Sequence, residues 1–226
     1  MMLKKWLITF ICIITLIGST EAQTVKFGAK AGINFAAISA YDNPTRSTYQ
    51  SKSYSNFKAG VITQIDWAKF AIQTGLFIDG KGGINTYINP ESNTNRQKNV
   101  RLYYLQIPVN FMYKQEIKPG TLYFGVGPYV AYGITGKYSL SGIIFDSPVD
   151  GSEKVYFGNN ENSDYKRADY GLNFRTQIRL LHGIGFELYY EHGLKNIATP
   201  GLYDDVGIKT RNKVFGIAVS YLIKNN

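Results

Sequence analysis

The stretch from residue 214 to residue 223 reads VFGIAVSYLI and decides the fold, because its two sides differ in character. One side is bulky, apolar and free of charge, and it carries Phe215, Ile217, Val219, Tyr221 and Ile223. The other side is smaller or more polar, and it carries Val214, Gly216, Ala218 and Ser220. Period-two alternation is typical of a β-strand whose two faces meet different surroundings.

The same alternation recurs in seven further segments, each with one face free of charged residues. Together they give eight predicted strands, at about 25–36, 57–67, 69–79, 102–114, 121–135, 168–180, 183–192 and 213–223. Each has roughly the 9–11 residues that a tilted strand needs to cross a bilayer. Short connections at 68, 115–120 and 181–182 alternate with long ones at 37–56, 80–101, 136–167 and 193–212. The pattern predicts an all-β, eight-stranded antiparallel up-and-down transmembrane β-barrel, with short periplasmic turns and four long outer loops.

The strand glycines indicate which face points inward. All lie on the more polar face, and they are Gly28, Gly32, Gly60, Gly75, Gly125, Gly127, Gly133, Gly171, Gly183, Gly185 and Gly216. An eight-stranded barrel has an interior only just wide enough for side chains, so small residues belong there. The bulky apolar face then points outward, where it suits lipid and would aggregate in water. The alternative is a soluble lipocalin-like barrel with its apolar face inside, which would stay monomeric without detergent.

Aromatic residues mark both ends of the predicted outward band. The end with short turns has Trp67, Phe70, Tyr113 and Tyr221. The end with long loops has Phe35, Phe57, Tyr103, Tyr132, Tyr170, Tyr190 and Phe215. Two aromatic girdles of this kind are expected where a barrel meets the two membrane interfaces.

The first 22 residues are typical of a secretory signal peptide. Lys4 and Lys5 precede an apolar run over 7–17, and small and polar residues lead to Ala22. We therefore predict a signal peptide over 1–22 and a barrel domain over 23–226. Cys12, the single cysteine, lies in the predicted signal, so neither disulfides nor cysteine catalysis is expected. The net charge of +9 is dispersed along an exported chain, so no nucleic-acid partner is expected.

Four segments resemble the PorT-like outer-membrane β-barrel family. They are Tyr104-Leu105-Gln106-Ile107-Pro108-Val109, Gly125-Val126-Gly127-Pro128-Tyr129-Val130, Asp169-Tyr170-Gly171-Leu172-Asn173 and Asn212-Lys213-Val214-Phe215-Gly216-Ile217. The resemblance covers most of the mature chain in order and spacing. It implies an eight-stranded barrel in the bacterial outer membrane, and named members take part in protein secretion to the cell surface. It supplies no catalytic motif.

The predicted inward face carries charges of both signs. The candidates for a polar network in the lumen are Lys30, Lys58, Arg175, Arg179, Glu187 and Glu191. A very short turn joins the strand with the two arginines to the strand with the two glutamates, so we expect opposite charges to face each other. The network would fill the narrow lumen. The alternative is a polar path for a small solute.

Basic residues cluster at the predicted outer rim, in two places. The second long loop and its borders contain Lys81, Arg96, Lys98 and Arg101, and the fourth contains Lys195, Lys209, Arg211 and Lys213. Outer-leaflet lipids carry phosphates, which suit guanidinium and ammonium groups. We name Arg101, Lys209 and Arg211 as candidate lipid-phosphate contacts, with outer-membrane lipid and lipopolysaccharide as partners. The alternative is a role in loop solubility alone.

The sequence gives little support for an enzyme. The two histidines are His182, in a short turn, and His192, near the outer rim, where Asp204 and Asp205 could join it. No metal-ligand spacing is present, so we expect no metal, cofactor or catalytic residues. The predicted function is a non-enzymatic scaffold or interaction protein, accessory to secretion or envelope integrity, with other envelope or secretion proteins as partners. A small-solute pore is the alternative, and a rim hydrolase ranks third.

Overall fold

The computed structural model describes residues 24–41, 48–199 and 209–223. These contain a short 3-10 helix, Pro90–Ser92, and ten strands: β1 Thr24–Tyr41, β2 Thr48–Lys52, β3 Tyr54–Trp67, β4 Phe70–Asn89, β5 Thr94–Ile117, β6 Gly120–Ile144, β7 Ser147–Lys154, β8 Ala168–Leu180, β9 Ile184–Gly193 and β10 Lys209–Leu222. Within these ranges no helix is long and apolar enough to cross a membrane. The predicted signal peptide lies outside the described residues.

Eight of the strands close into a ring. Its order is β1, β3, β4, β5, β6, β8, β9 and β10, with every neighbouring pair antiparallel. The ring closes because β1 pairs with both β3 and β10, so that Lys30 faces Gly60 on one side and Ser220 on the other. The predicted eight-stranded barrel is therefore confirmed. A closed ring of this kind leaves no unpaired sheet edge within the barrel.

Three of the predicted long loops, 37–56, 80–101 and 136–167, contain long stretches of strand. β4 and β5 continue to pair through 80–101 and turn at the 3-10 helix, where Asn93 has a φ of 42°. β6 continues to Ile144 and pairs with β7, while β2 pairs with the outer part of β4. These segments lack an apolar period, which is why the sequence suggested loops. Their backbones nevertheless extend the ladder, because a neighbouring strand satisfies the N–H and C=O groups.

One β-bulge changes which residues of β6 face outward. The register shifts at Tyr103 and Tyr104 of β5, which face Thr135 and Gly133, so Ile134 is an extra residue. Ile134 and Thr135 are both exposed, and beyond them Lys137 faces outward instead of inward. Neither Pro108 nor Pro128 causes a bulge, because the pairs on either side of both prolines keep one register.

The orientation of the two faces is confirmed. Outward side chains such as Val61, Val130 and Ile217 are 42–62% exposed, and they form a continuous apolar band. Inward side chains are buried although many are polar or charged. Residues predicted for the two aromatic girdles also lie outward, and Phe57 and Tyr103 pack with ring centroids 5.5 Å apart.

Apolar side chains close the outer mouth of the barrel. Val155, Tyr165 and Ile197, which follow β7 and β9, form a surface that we call the outer lid. Each is 3% exposed or less, and they pack in one cluster with Leu102 and Tyr104 of the barrel wall. The connection between β7 and β8 thus folds inward over the lumen, because its apolar residues bury more surface there than in solvent.

Candidate functional site

The charged layer of the lumen centres on Lys81. Its Nζ lies 3.2 Å from Asp169 Oδ2, 3.4 Å from Glu191 Oε2 and 4.0 Å from Asp79 Oδ2. The ammonium also lies 4.0 Å from the centroid of the Tyr129 ring. The sequence predicts Lys81 among the cations of the outer rim, and this is wrong, because β4 continues through this position and points the side chain inward.

Lys58, on the neighbouring strand β3, contacts two of the same carboxylates. Its Nζ lies 2.5 Å from Glu191 Oε1 and 3.4 Å from Asp79 Oδ2. The side-chain amide of Gln106 donates to Glu191 over 2.8 Å, and the amide of Asn34 donates to Asp79 over 2.6 Å. Both carboxylates therefore have charged and neutral partners, which buried charges require.

A second charged layer lies nearer the periplasmic end. Lys30 Nζ lies 2.6 Å from Glu187 Oε2, and Arg175 Nη1 lies 3.5 Å from the same oxygen. Gln73 Oε1 accepts a hydrogen bond of 2.7 Å from each of the two cations. One glutamate and one glutamine thus hold two cations together.

The partners expected for Arg179 differ from those observed. Register places Arg179 opposite Gly185, diagonal to Glu187, yet it forms no ion pair with any described residue. Its guanidinium donates instead to Gln64 Oε1 over 2.7 Å and to the Tyr123 hydroxyl over 3.1 Å. Glu187 is already occupied by two other cations, so Arg179 reaches across the lumen to neutral acceptors.

The two layers balance in charge and are closed to solvent. The cations are Lys30, Lys58, Lys81 and Arg175, and the carboxylates are Asp79, Asp169, Glu187 and Glu191. The most exposed of these eight residues is Arg175, at 6%. Such a network is stable only while every charge keeps a partner.

The three candidate lipid-phosphate contacts all lie near the outer end, but not together. Arg101 is exposed on the outward face of β5, where it donates to the Tyr54 hydroxyl and lies 4.8 Å from the centroid of that ring. Lys209 and Arg211 lie on β10, on the face that carries Phe215. Strands β1, β3 and β4 separate β10 from β5, so these residues belong to two distinct surfaces.

Sequence reasoning missed Lys137 and Lys154. Lys137 faces Arg101 directly across β5 and β6, and Lys154 faces Lys137 across β6 and β7. Both lysines are exposed. The outward position of the two lysines depends on the bulge at Ile134 and on the pairing of β7 with β6. The alternation of apolar and polar residues in the sequence predicts neither feature.

The histidines are not brought together. His192 Nδ1 lies 3.4 Å from the Tyr190 hydroxyl, and His182 is exposed in the turn between β8 and β9. Asp204 and Asp205, the acids considered with His192, lie outside the described residues.

A closed antiparallel ring with an apolar exterior and a charged interior is the architecture of a transmembrane β-barrel. The chain belongs to the family described as outer membrane protein beta-barrel domain, whose sequence model matches residues 21–199. It is therefore an outer-membrane barrel protein. No curated protein shows significant sequence similarity to it.

Three solved structures are similar to this chain in fold, at low sequence identity. Neisserial surface protein A is 10% identical, with 89% of this chain and 99% of that chain covered and a TM-score of 0.42. Ail of Yersinia pestis is 11% identical, with coverage of 89% and 100% and a TM-score of 0.37. OprG of Pseudomonas aeruginosa is 12% identical, with coverage of 90% and 98% and a TM-score of 0.36.

Proposed function

We propose that this protein is a non-enzymatic scaffold or interaction protein of the outer membrane rather than a channel. The observation that carries the proposal is the filled lumen. Two buried layers of ion pairs, whose charges balance when they are taken together, lie beneath an apolar outer lid, so a solute would have to break paired charges to pass. Separating buried ion pairs costs several kcal/mol, by an order-of-magnitude estimate.

Conductance in planar bilayers tests the closed lumen against the alternative of a small-solute pore. The purified, folded chain should give no stable channels, with a porin of known conductance as the positive control. Stable and reproducible channels would overturn the proposal and favour the pore.

The outer hairpins supply a surface for protein contact. Asn93, at the β4–β5 turn, donates to the Asp146 carboxylate at the β6–β7 turn, so the two tips are joined. The backbone N–H of Phe145 also donates to Thr94 Oγ1 over 3.5 Å. Phe145 is 71% exposed at this joined tip, and Ile143 beside it is 42% exposed. Exposed aromatic and aliphatic side chains on a fixed support are typical of contact sites between proteins.

The resemblance to PorT-like barrels suggests envelope or secretion proteins as partners. We therefore infer an accessory role in protein secretion or envelope integrity. A strain that lacks the protein should secrete less to the cell surface or become sensitive to detergents, and the intact gene should restore both. Phe145→Ser should fail to restore them if the tip is the contact. Leu181→Ser, at a turn residue that is also 71% exposed, is the matched control. Equal rescue by both variants would remove the tip from the proposal.

A further inference from the structure

Three cations form a row across the outward face of neighbouring strands. Arg101 on β5, Lys137 on β6 and Lys154 on β7 are paired directly, one after the other, in the strand register. Neighbouring strands lie about 4.8 Å apart, so the three backbones fall within roughly 10 Å. Like charges directly opposite each other in a sheet are destabilising unless an anion lies between them.

The described part of the chain does not neutralise this row. Neither Lys137 nor Lys154 forms an ion pair with a described residue, and Arg101 contacts the neutral Tyr54. Glu153 faces the opposite side of β7, where it accepts a hydrogen bond from Tyr138. Asp150, the next outward carboxylate of β7, faces Ser141, farther toward the hairpin tip.

The row lies at the level where lipid headgroups are expected. Arg101 is the next outward residue after Tyr103, which packs against Phe57 in the outer aromatic girdle. Aromatic girdles mark the membrane interface of such barrels, so the cations lie just beyond the hydrocarbon. The bulge at Ile134 is what turns Lys137 to this side.

A cleft of about 250 Å³ opens beside two of these cations, Arg101 and Lys137. Its lining contributes hydroxyl and amide groups besides the charges, and it includes Tyr54, Asn99, Arg101, Lys137, Ser139 and Ser152. A guanidinium fork beside an ammonium and neutral donors is suited to the oxygens of a phosphate group.

We propose that this cleft binds a phosphate group of an outer-leaflet lipid, as in lipopolysaccharide. Arg101 and Lys137 hold the phosphate from two strands, and Lys154 adds charge from the third. The stripe of Lys209, Arg211 and Lys213 on β10 faces the same lipid layer from the other side of the barrel. This proposal rests on the barrel alone and is independent of the scaffold role.

Retention of lipid in native mass spectrometry of the detergent-solubilised chain tests the proposal. The probe is a diphosphorylated lipid A, compared with the same lipid after removal of its phosphates. Arg101→Gln with Lys137→Gln should weaken binding of the phosphorylated lipid about tenfold or more, since two charge-assisted contacts are lost. The matched control is Lys69→Gln with Lys118→Gln, which removes two exposed cations at the periplasmic turns and should bind as the unmodified chain does.

Each other outcome contradicts the proposal. An equal loss of lipid binding in the control pair would mean that binding depends on the total charge of the protein. Equal binding of the dephosphorylated lipid would mean that the protein recognises only the acyl chains. Full displacement by millimolar inorganic phosphate would indicate a site for free anions. The folded state of each variant is checked by its heat-dependent shift in SDS gels. Lys154→Gln, on a strand outside the ring, supplies a variant that leaves the barrel intact and should weaken binding by a smaller factor.

Discussion

Lys30 Nζ lies 2.6 Å from Glu187 Oε2, although 157 residues separate the two in sequence. The pair spans from β1 to β9 over the intervening β10. Small inward residues of β10 make this possible, because Ser220 faces Lys30 and Ala218 faces Glu187. Closure of the ring brings the first and last strands together, and the small side chains leave room for an ion pair above them.

Removal of the central cation should destabilise the barrel. Lys81→Met leaves Asp169 and Glu191 without their shared partner in a buried layer, and we expect a loss of about 3 kcal/mol in the free energy of unfolding. Urea unfolding in lipid vesicles, followed by tryptophan fluorescence, measures this loss. Lys118→Met, at an exposed turn residue, should change stability by less than about 0.5 kcal/mol. Addition of Asp169→Asn to Lys81→Met should restore part of the loss, and no recovery would argue against the assigned pairing.

Gly216 should resist substitution because the Tyr189 ring occupies the space of a side chain. A Cβ at Gly216 would contact the Tyr189 ring and hydroxyl. Gly216→Ala is therefore expected to cost about 1–3 kcal/mol, the usual range for overpacking. Gly151→Ala on β7 is the control, because nothing lies within 4 Å of its added Cβ. The same urea titration compares them, and similar midpoints for the two variants would contradict the packing described for the lumen.

Deletion of Ile134 should be tolerated. It is the extra residue of the bulge, so its loss leaves the pairs on both sides, Tyr103 with Thr135 and Tyr104 with Gly133, in one continuous register. Deletion of Val130, in the regular part of β6, should instead turn the following residues to the wrong face. Refolding into detergent with the heat-dependent gel shift as the readout separates the two. A deletion of Ile134 that fails to fold would show that the bulge itself is required.

The pKa of the Tyr138 hydroxyl reports on the hairpin that β6 and β7 form. The hydroxyl donates a 2.6 Å hydrogen bond to Glu153 Oε2, and this bond raises the pKa of Tyr138 to about 12. Since the folded pKa is raised, the bond stabilises the hairpin below the ordinary tyrosine pKa of 10.0 and is lost as the pH rises through about 12. Glu153→Gln should lower the pKa of Tyr138. Tyrosinate absorbance, with Tyr138→Phe subtracted, measures the shift, and an unchanged pKa would contradict the pairing of β6 with β7.

The outer lid should open independently of the barrel. Ile197→Asp places a charge in a fully buried apolar cluster and should weaken the lid by on the order of 3 kcal/mol. Amide hydrogen exchange should then accelerate over 155–167 while the eight barrel strands stay protected. Leu194→Asp, at a residue that is 44% exposed, is the control and should leave exchange unchanged. Acceleration throughout the barrel would mean that the lid is not a separate unit.

The inward position of most charged residues of the candidate site could be predicted from the sequence, but their ion-pair partners could not. Alternation placed Lys30, Lys58, Arg175 and Glu187 on the inward face, because the direction of a side chain in a regular strand depends only on local parity. It could not assign their partners, since a contact across the lumen depends on ring closure and on which acceptors are already occupied. Arg179 illustrates this, because its diagonal glutamate is held by two other cations.

The sequence by itself determined the number of membrane-crossing strands, their inward and outward faces and the position of the aromatic girdles, since all of these follow from a two-residue period. Only the tertiary structure decided that Lys81 lies in the lumen and that Lys137 lies beside Arg101. The first depends on a strand that continues where the residues lack an apolar period, and the second on one extra residue in β6. The positions of Lys81 and Lys137 are both controlled by backbone pairing with a neighbouring strand. The closed ring, and not the local sequence, determines which strand is that neighbour.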